Sequence, residues 1–241
     1  KFTVSNLGTA VVESIEASYQ LEGSDINVTE TFETEIESYD SKQFTFEMPI
    51  TLFPGEYTMK LNVNKVNGSD DQDMNNNNIN KNVTVAYGSV GRTAFIEHFS
   101  SSTCHPCVFV NQDMEELTAA NPGKYTYVKY PMNGPETGDP YYTSECGTRR
   151  SYYNVNSVPT MFLDGKSTLA PQTQFDLDLS LSQSTFVNIQ GAFNVEGNTI
   201  NVTADFMAYN DIANAKAYIE KNKKTTTGNV GTNGEKEFHH I

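Results

Sequence analysis

Two cysteines that stand two residues apart, Cys104 and Cys107, are the residues of this sequence most clearly suited to chemistry. This spacing occurs both in metal sites and in redox sites. Zinc requires about four ligands, but there is no second cysteine pair, His105 lies between the two cysteines, and His239-His240 stands far along the chain. We therefore interpret the pair as a redox site and expect neither a metal nor another cofactor.

The residues on either side of the cysteine pair predict a strand before it and a helix after it. Residues 93–99 form an apolar run, and residues 112–120 have the composition of a helix that ends at Asn121-Pro122-Gly123. Pro106 suits the first helical turn, where its missing N–H has no cost. A thiol at a helix N-terminus lies near the positive end of the helix dipole, which lowers the pKa of the thiol and makes it a better nucleophile.

The third cysteine, Cys146, lies in a second predicted helix over residues 142–153. One hypothesis is that it exchanges a disulfide with the main pair. A lone helical cysteine is more often buried and inert, which is the interpretation we favour. The Pro- and Gly-rich residues 131–140 predict a loop that covers the site or binds a partner.

The first of three segments, residues 1–87, alternates apolar and polar residues between turns. A strand over residues 45–50, a turn at Phe53-Pro54-Gly55-Glu56 and a strand from Tyr57 are typical of this pattern. The pattern predicts a small antiparallel β-sandwich. The acidic loop over residues 70–78 is either an Asx-rich turn, which we favour, or a Ca²⁺ site with oxygen ligands.

The other two segments differ from the first in their periodicity. Residues 88–185 alternate predicted strands and helices, which indicates an α/β domain with a parallel or mixed sheet. Residues 186–241 return to β, with a hairpin turn at Glu196-Gly197-Asn198. The expected fold class is α+β and multidomain. The last segment has too few strands for a complete sandwich, so we expect the chain to continue beyond Ile241 or, less favoured, this segment to pair with another part of the protein.

The composition restricts the function classes. The formal net charge is −14, and 37% of the residues are hydrophobic. A strong negative charge repels nucleic acid and anionic lipid, so we expect no nucleic-acid partner. We find no apolar run long enough for a membrane helix and no signal peptide in the sequence, and we expect the true N-terminus, with a signal or anchor, to lie outside it.

The cysteine motif, followed later by Val158-Pro159-Thr160, resembles the active site of the thioredoxin fold. The resemblance implies that Cys104 is the nucleophile and Cys107 the resolving thiol. It also implies that Pro159 is a cis-proline beside the cysteines and that Val158 binds a partner strand through its backbone.

Three further site residues follow from the same resemblance. His105 favours the thiolate and shifts the pair towards oxidising chemistry. Thr103 stands where such sites usually carry Trp, and we expect it to contact substrate. His98 stands where thioredoxin has an Asp that assists proton transfer. Because side chains alternate along a strand, only one of His98 and Glu97 points beneath the helix. His98 is then either a base or an ordinary strand histidine.

The layout of the whole chain is similar to the outer-membrane-protein-twenty-eight-related family of Bacteroidota. The similarity lies in residues 95–99, 157–165 and 234–240, and the first segment resembles immunoglobulin-like domains of bacterial surface proteins. It implies an immunoglobulin-like module, a thioredoxin-like domain and a final β module. It also implies a periplasmic or cell-surface location, partner proteins or protein disulfide substrates, and association with other outer-membrane proteins.

Three functions remain open from the sequence, of which the third, a Ca²⁺-dependent adhesion module, depends only on residues 70–78. The first is thiol–disulfide exchange in the cell envelope, for which we expect an exposed Cys104–Cys107 disulfide beside a cis Pro159. The second is a structural or protein-binding surface component that has the fold but no turnover.

Overall fold

The protein is mostly β and contains several sheets. A computed structural model describes residues 1–229 and 231–241, with 41% of the chain in strands and 15% in helices. The chain forms two compact units. The first comprises Lys1–Gly88 and Met207–Ile212, and the second comprises Ser89–Phe206 and Ala213–Ile241.

The first unit contains a four-stranded antiparallel sheet in the order β3-β2-β5-β6 and a two-stranded sheet of β1 and β4. Its six strands are β1 Phe2–Ser5, β2 Val12–Leu21, β3 Asn27–Ile36, β4 Ser41–Phe44, β5 Gly55–Val66 and β6 Asn78–Val85. Rings from both sheets meet in its core, where the Phe32 ring centroid lies 5.7 Å from that of Phe2 and 5.3 Å from that of Phe44. The period-two pattern predicted these antiparallel strands because alternate residues face this core.

The strand predicted over residues 45–50 does not form, and this prediction was wrong. The backbone N–H groups of Glu47 and Met48 donate to the Glu30 carboxylate instead of to a neighbouring strand. A side chain thus satisfies the donors that a sheet would use.

The acidic loop contains a short 3-10 helix, Met74–Asn76, whose N-cap is Asp73. The Asp73 carboxylate accepts from the backbone N–H of Asn75 at 3.1 Å. Across the residues that the structure describes, no three His, Cys, Asp or Glu side chains are grouped so that they could hold a metal ion.

The second unit is built on a mixed sheet in the order β11-β10-β8-β9, in which β8 and β9 are parallel and the other pairs are antiparallel. Its strands are β8 Ala94–Ser100, β9 Tyr125–Pro131, β10 Thr160–Leu163 and β11 Lys166–Thr168, and its helices are α1 His105–Ala120, α2 Ser144–Tyr152 and α3 Gln174–Leu181. The alternating pattern predicted β8, α1, β9, α2 and β10 in this chain order and a parallel or mixed sheet, but not β11 or α3.

Helices cover both faces of this sheet. Ile96 of β8 packs with Met114 of α1 and Leu177 of α3 in one buried cluster. The next side chain of the same face is His98, whereas Phe99 packs with Cys146 of α2 on the opposite face. The strand that leads to the cysteines is therefore fixed from both sides.

The remaining strands form three separate pairs. These are β7 Val90–Gly91 with β12 Ser184–Thr185, β13 Val187–Glu196 with β14 Thr199–Ala208, and β15 Thr225–Thr226 with β16 Phe238–His239. The predicted hairpin turn at residues 196–198 joins β13 and β14. Residues 213–241 group with residues 89–206, and the predicted boundary at residue 186 stays a prediction. No helix of the described residues is long and apolar enough to cross a membrane.

Candidate functional site

Cys104 and Cys107 form a disulfide at the beginning of α1, with their Cα atoms 5.3 Å apart. Cys104 is the N-cap residue of the helix, and Pro106 lies in the first turn. The Cys104 N–H donates to the Ser101 carbonyl at 3.0 Å, which closes a turn before the helix. The predicted strand, cysteine pair and helix thus follow each other without a gap.

The disulfide is buried, so the expectation of an exposed bond was wrong. Cys104 is 2% exposed and Cys107 is 0% exposed, whereas His105 and Pro106 are exposed. The reason is that residues from far along the chain lie over the turn that holds the cysteines.

One covering element is residues 231–238, which we call the strap. The Asn233 backbone N–H donates to the Ser102 carbonyl at 3.1 Å. The Asn233 side-chain amide lies 3.4 Å from the carbonyl oxygens of both Ser101 and Cys104. The strap is therefore hydrogen-bonded to the residues that immediately precede the disulfide and to the first cysteine itself.

The other covering element is the loop over residues 131–140. The Thr103 hydroxyl donates to the Pro135 carbonyl at 2.6 Å, and the Ser102 N–H donates to Asp139 at 3.0 Å. Thr103 is 3% exposed. Its hydroxyl is thus used inside the protein, which does not match the expected contact with a substrate.

Val158 and Pro159 lie beside the end of β8. Thr160 is paired with Phe99 in the antiparallel register of β10 and β8, so the two preceding residues lie next to the chain that enters the cysteine turn. The Val158–Pro159 peptide bond is cis, and both residues are half-buried. The Val158 side chain packs against the cluster on the α2 face of the sheet.

His98 points beneath α1, and Glu97 points to the opposite face. The imidazole Nδ1 lies 2.7 Å from the Tyr127 hydroxyl, and Nε2 has no hydrogen-bond partner among the described residues. Burial, followed by the charge of Lys129, lowers the pKa of His98 well below its ordinary value. The imidazole is therefore neutral, and a base with so low a pKa accepts a proton poorly.

Lys129 is cross-strand from His98 and is 3% exposed. Burial lowers the pKa of Lys129 to about 8, although the carboxylates of Glu235, Glu115 and Asp139 act in the opposite direction. Burial raises the pKa of Glu235. The Lys129 ammonium is buried and the Glu235 carboxyl is half-buried, and burial disfavours the charged form of each. Both groups lie on the face of the sheet beneath α1.

The Glu235 carboxylate connects the strap to α1. The Asn111 amide donates to Glu235 Oε1 at 2.8 Å, and the Asn233 amide donates to Oε2 at 2.6 Å. Asn111 lies one helical turn after Cys107 and therefore on the same side of α1. A chain of side chains thus runs from the strap to the helix face that carries the second cysteine.

Glu97 forms a buried ion pair on the α2 face. Its Oε1 accepts from Arg149 Nε at 2.6 Å, and its Oε2 accepts from the Tyr153 hydroxyl at 2.6 Å. Burial by itself lowers the pKa of Arg149, but the bond and charge of Glu97 raise it above its ordinary value overall. This pair links β8 to α2 and does not reach the cysteine face.

Cys146 is buried, as we favoured from the sequence, and is a free thiol. The Thr143 hydroxyl caps α2 and lies 3.4 Å from the Cys146 sulfur. A cavity of about 620 Å³ lies against α2. Its lining includes Cys146, Tyr130, Tyr152 and Tyr218.

The contacts that cover the site were not predicted from the sequence. Asn233 and Glu235 lie in or beside the stretch that carried a family resemblance, but the sequence assigned them no role. Lys129 could have been noticed, because a lysine inside an apolar strand is rarely buried unless acidic groups lie near it. Asn111 and Asp139 carried no signal, because their roles depend on contacts with distant residues.

No protein-family model, no curated protein and no solved structure matches this chain. Its function is therefore inferred from the site. A disulfide at a helix N-terminus can accept two electrons from a dithiol or return them to another disulfide.

Proposed function

We propose that this protein exchanges disulfides with other proteins through Cys104 and Cys107. The observation that supports the proposal is the position of the disulfide at the N-terminus of a 16-residue helix. In the reduced protein this position stabilises a Cys104 thiolate through the positive end of the helix dipole. A stabilised thiolate is a better nucleophile and a better leaving group at neutral pH.

In the proposed reaction the Cys104 thiolate attacks one sulfur of a partner disulfide. The partner's S–S bond breaks, a mixed disulfide forms, and a partner thiolate leaves. Cys107 then loses its proton and attacks Cys104, which releases the second partner thiolate and re-forms the Cys104–Cys107 bond. Two electrons pass to the partner, and the reverse sequence oxidises a partner dithiol.

The fold assignment belongs to the same proposal. A parallel β8–α1–β9 unit followed by α2, the β10–β11 hairpin and α3 is compatible with a thioredoxin-like domain. The antiparallel sheets of the first unit are compatible with an immunoglobulin-like module. The family resemblance adds an envelope location, on the periplasmic side or at the cell surface, where disulfides persist.

A role as a simple crosslink is physically weaker. A disulfide stabilises a protein mainly by closing a loop in the unfolded chain, and the effect grows with loop length. Only three positions separate Cys104 from Cys107. Such a short loop gains little from a bond, so stability alone does not explain the pair.

The second candidate function is protein binding without turnover, and the burial of both cysteines favours it. A disulfide that is 0–2% exposed is not accessible to a partner in this conformation. The two functions differ in whether the pair can be reduced and re-oxidised in a cycle.

The test is to measure the reduction potential of the pair and the catalysis of insulin reduction by dithiothreitol. We expect a potential above about −300 mV, where labile disulfides lie, and catalysis that Cys104→Ser abolishes. Cys146→Ser is the matched control, because it removes the other cysteine of the chain, and it should retain the activity. A potential below that range with no catalysis would instead support the binding function.

A further inference from the structure

The strap donates hydrogen bonds to main-chain carbonyl groups of the cysteine turn. The acceptors for Asn233 are the carbonyl oxygens of Ser101, Ser102 and Cys104. Main-chain carbonyls accept hydrogen bonds from any extended polypeptide, regardless of its side chains. The surface beneath the strap is therefore chemically suited to a segment of another protein as well as to this one.

The contact at the beginning of the strap is closer than any side chain would permit. A Cβ atom placed on Gly231 would lie 1.9 Å from the Ser102 carbonyl oxygen and 2.4 Å from its carbonyl carbon. Because both atoms belong to the backbone, the clash has no easy relief. Glycine at this position is therefore a requirement for the strap to lie on the cysteine turn.

Polar side chains line both sides of this surface. Asn111 of α1 holds Glu235 on one side. On the other side Asp139 accepts from the Ser102 N–H, and Glu136 accepts from the Thr232 hydroxyl at 2.8 Å. The surface is a polar groove between α1 and the loop over residues 131–140, and it fits an extended segment with amide, hydroxyl or small side chains.

The strap leaves polar atoms of this groove without partners. The Ser102 hydroxyl and the Asn111 carbonyl oxygen are buried and find no hydrogen-bond partner among the described residues. An unpartnered buried polar group costs free energy. The strap is therefore an imperfect occupant, and another segment that supplies a donor to Asn111 would bind this groove better.

We propose that this groove is the docking site for the extended segment around a partner protein's cysteine, and that the strap occupies it as an internal substitute that must leave before the disulfide can exchange. This inference rests on the proposed exchange function. The partner segment would donate backbone N–H groups to Ser101 and Ser102 and would bring its sulfur to Cys104.

The test measures how fast dithiothreitol reduces the Cys104–Cys107 bond in the full chain. One thiolate of the reductant attacks a protein sulfur and forms a mixed disulfide, and its second thiol then closes a six-membered ring. The reductant leaves as a cyclic disulfide, and the protein gains two electrons and two protons. No partner protein takes part, so the result is independent of whether the insulin assay shows turnover.

Two variants should accelerate this reduction by about tenfold or more, since each removes strap contacts. Gly231→Ala forces the strap away from Ser102, and Asn233→Ala removes the side-chain bonds to the Ser101 and Cys104 carbonyls and to Glu235. Gly91→Ala is the control for the first, because its Cβ would meet nothing within 4 Å. Asn194→Ala is the control for the second, because Asn194 donates at 2.9 Å to Glu196, which is likewise two residues further along the chain.

The docking claim is tested by adding a synthetic peptide of residues 231–241 to Gly231→Ala. We expect the peptide to slow the reduction back towards the rate of the unmodified protein, and the same peptide with Asn233→Ala to have no effect. Failure of the peptide to slow the reduction would overturn the docking site.

The unmodified protein provides a measurement that needs no variant. If the strap must open first, the reduction rate reaches a plateau at high dithiothreitol concentration, because opening then limits the reaction. A rate that rises linearly at every concentration, together with equal rates for the strap variants and their controls, would overturn the role of the strap.

Discussion

Lys129 is a charged residue in the most buried strand pair of the molecule. Its ammonium lies 5.5 Å from the centre of the Phe238 ring and under the influence of three carboxylates. Burial still dominates, and the pKa of Lys129 falls to about 8 from an ordinary value of 10.5. The folded protein therefore holds this proton less tightly than the unfolded chain does.

The lowered pKa of Lys129 predicts that its effect on stability depends on pH. Between pH 8 and pH 10.5 the unfolded chain binds the proton and the folded protein does not, so the free energy of unfolding rises with pH in this window. A shift of this size corresponds to a gain of up to about 3 kcal/mol. Lys129→Met should remove this rise, which urea unfolding at a series of pH values would measure.

The control is Lys166→Met, which removes an exposed lysine of β11. Its pH profile should follow that of the unmodified protein. A Lys129→Met profile that also follows it would show that Lys129 has an ordinary pKa in the folded protein.

At the residue level the sequence predicted the place of the cysteine pair before a helix but not the residues that surround it. The spacing of Cys104 and Cys107 indicated a redox pair, and strand alternation left open which of Glu97 and His98 lies under the helix. The structure places His98 there and leaves it neutral. The roles of Asn233 and Glu235 were not predictable, because they depend on contacts across more than 120 positions of the chain.

The connection between β8 and α2 depends on one buried carboxylate. Glu97 is 0% exposed, and Arg149 is the cation that balances it. Tyr153 donates its hydroxyl to the same carboxylate, whereas the Tyr130 hydroxyl lies 3.1 Å from it and donates to Glu220 at the shorter distance of 2.7 Å. Removal of the Arg149 guanidinium alone would leave the Glu97 carboxylate buried, with only neutral hydrogen-bond donors around it.

We predict that Arg149→Met lowers the free energy of unfolding by about 3–5 kcal/mol, which is typical when one partner of a buried pair is removed. The double variant Glu97→Leu with Arg149→Met should recover most of this loss, because no charge remains buried. Chemical denaturation of both proteins measures the difference.

Arg150→Met is the matched control for this pair. Arg150 donates to the Val155 carbonyl at 2.9 Å and balances no buried acid. Its substitution should cost less than about 1 kcal/mol. A similar loss in Arg149→Met and Arg150→Met would contradict the special role of the Glu97 pair.

Helices and strands with clear residue signals at their ends, such as a proline or a glycine, were predicted better than those without such signals. The proline and glycine after Asn121 correctly placed the end of α1, and Pro106 correctly placed its first turn, since the helix begins at His105. Val108-Phe109-Val110 is a stretch of weak helix formers, and Val110 packs in the buried cluster beneath α1. Competition from tertiary contacts removed the predicted strand after Phe44.

The distribution of apolar surface is uneven across the molecule. The mixed sheet buries its large side chains on both faces, whereas the β13–β14 hairpin exposes its apolar residues. Phe193 is 74% exposed and Phe206 is 54% exposed, but Phe99 is 0% exposed. We therefore expect buried and exposed phenylalanine side chains to contribute very differently to the free energy of unfolding.

We predict that Phe193→Ser changes the free energy of unfolding by less than about 0.5 kcal/mol, as for most surface substitutions. Phe99→Ala should lower it by about 3–5 kcal/mol, because it leaves a cavity against both Tyr130 and Phe162. Thermal or urea unfolding of the two variants gives the comparison. A loss above 1 kcal/mol for Phe193→Ser would show that the hairpin face is covered in solution.

For the whole molecule the sequence predicted a mostly β chain with a central helical part. It did not predict that residues 213–241 group with the mixed sheet. Local periodicity describes neighbours along the chain, but this grouping depends on distant hydrogen bonds, such as that between the Lys129 N–H and the His240 carbonyl at 2.7 Å. Periodicity alone could therefore not show this grouping.

The position of the strap along the chain sets an order of events during synthesis. Asn233 follows Cys104 by 129 residues, so at roughly 5–20 residues per second the strap emerges about 6–26 s after the first cysteine. During this interval only the loop over residues 131–140 is available to cover the cysteine turn. The contacts of the strap with this turn are therefore among the last that the chain can form.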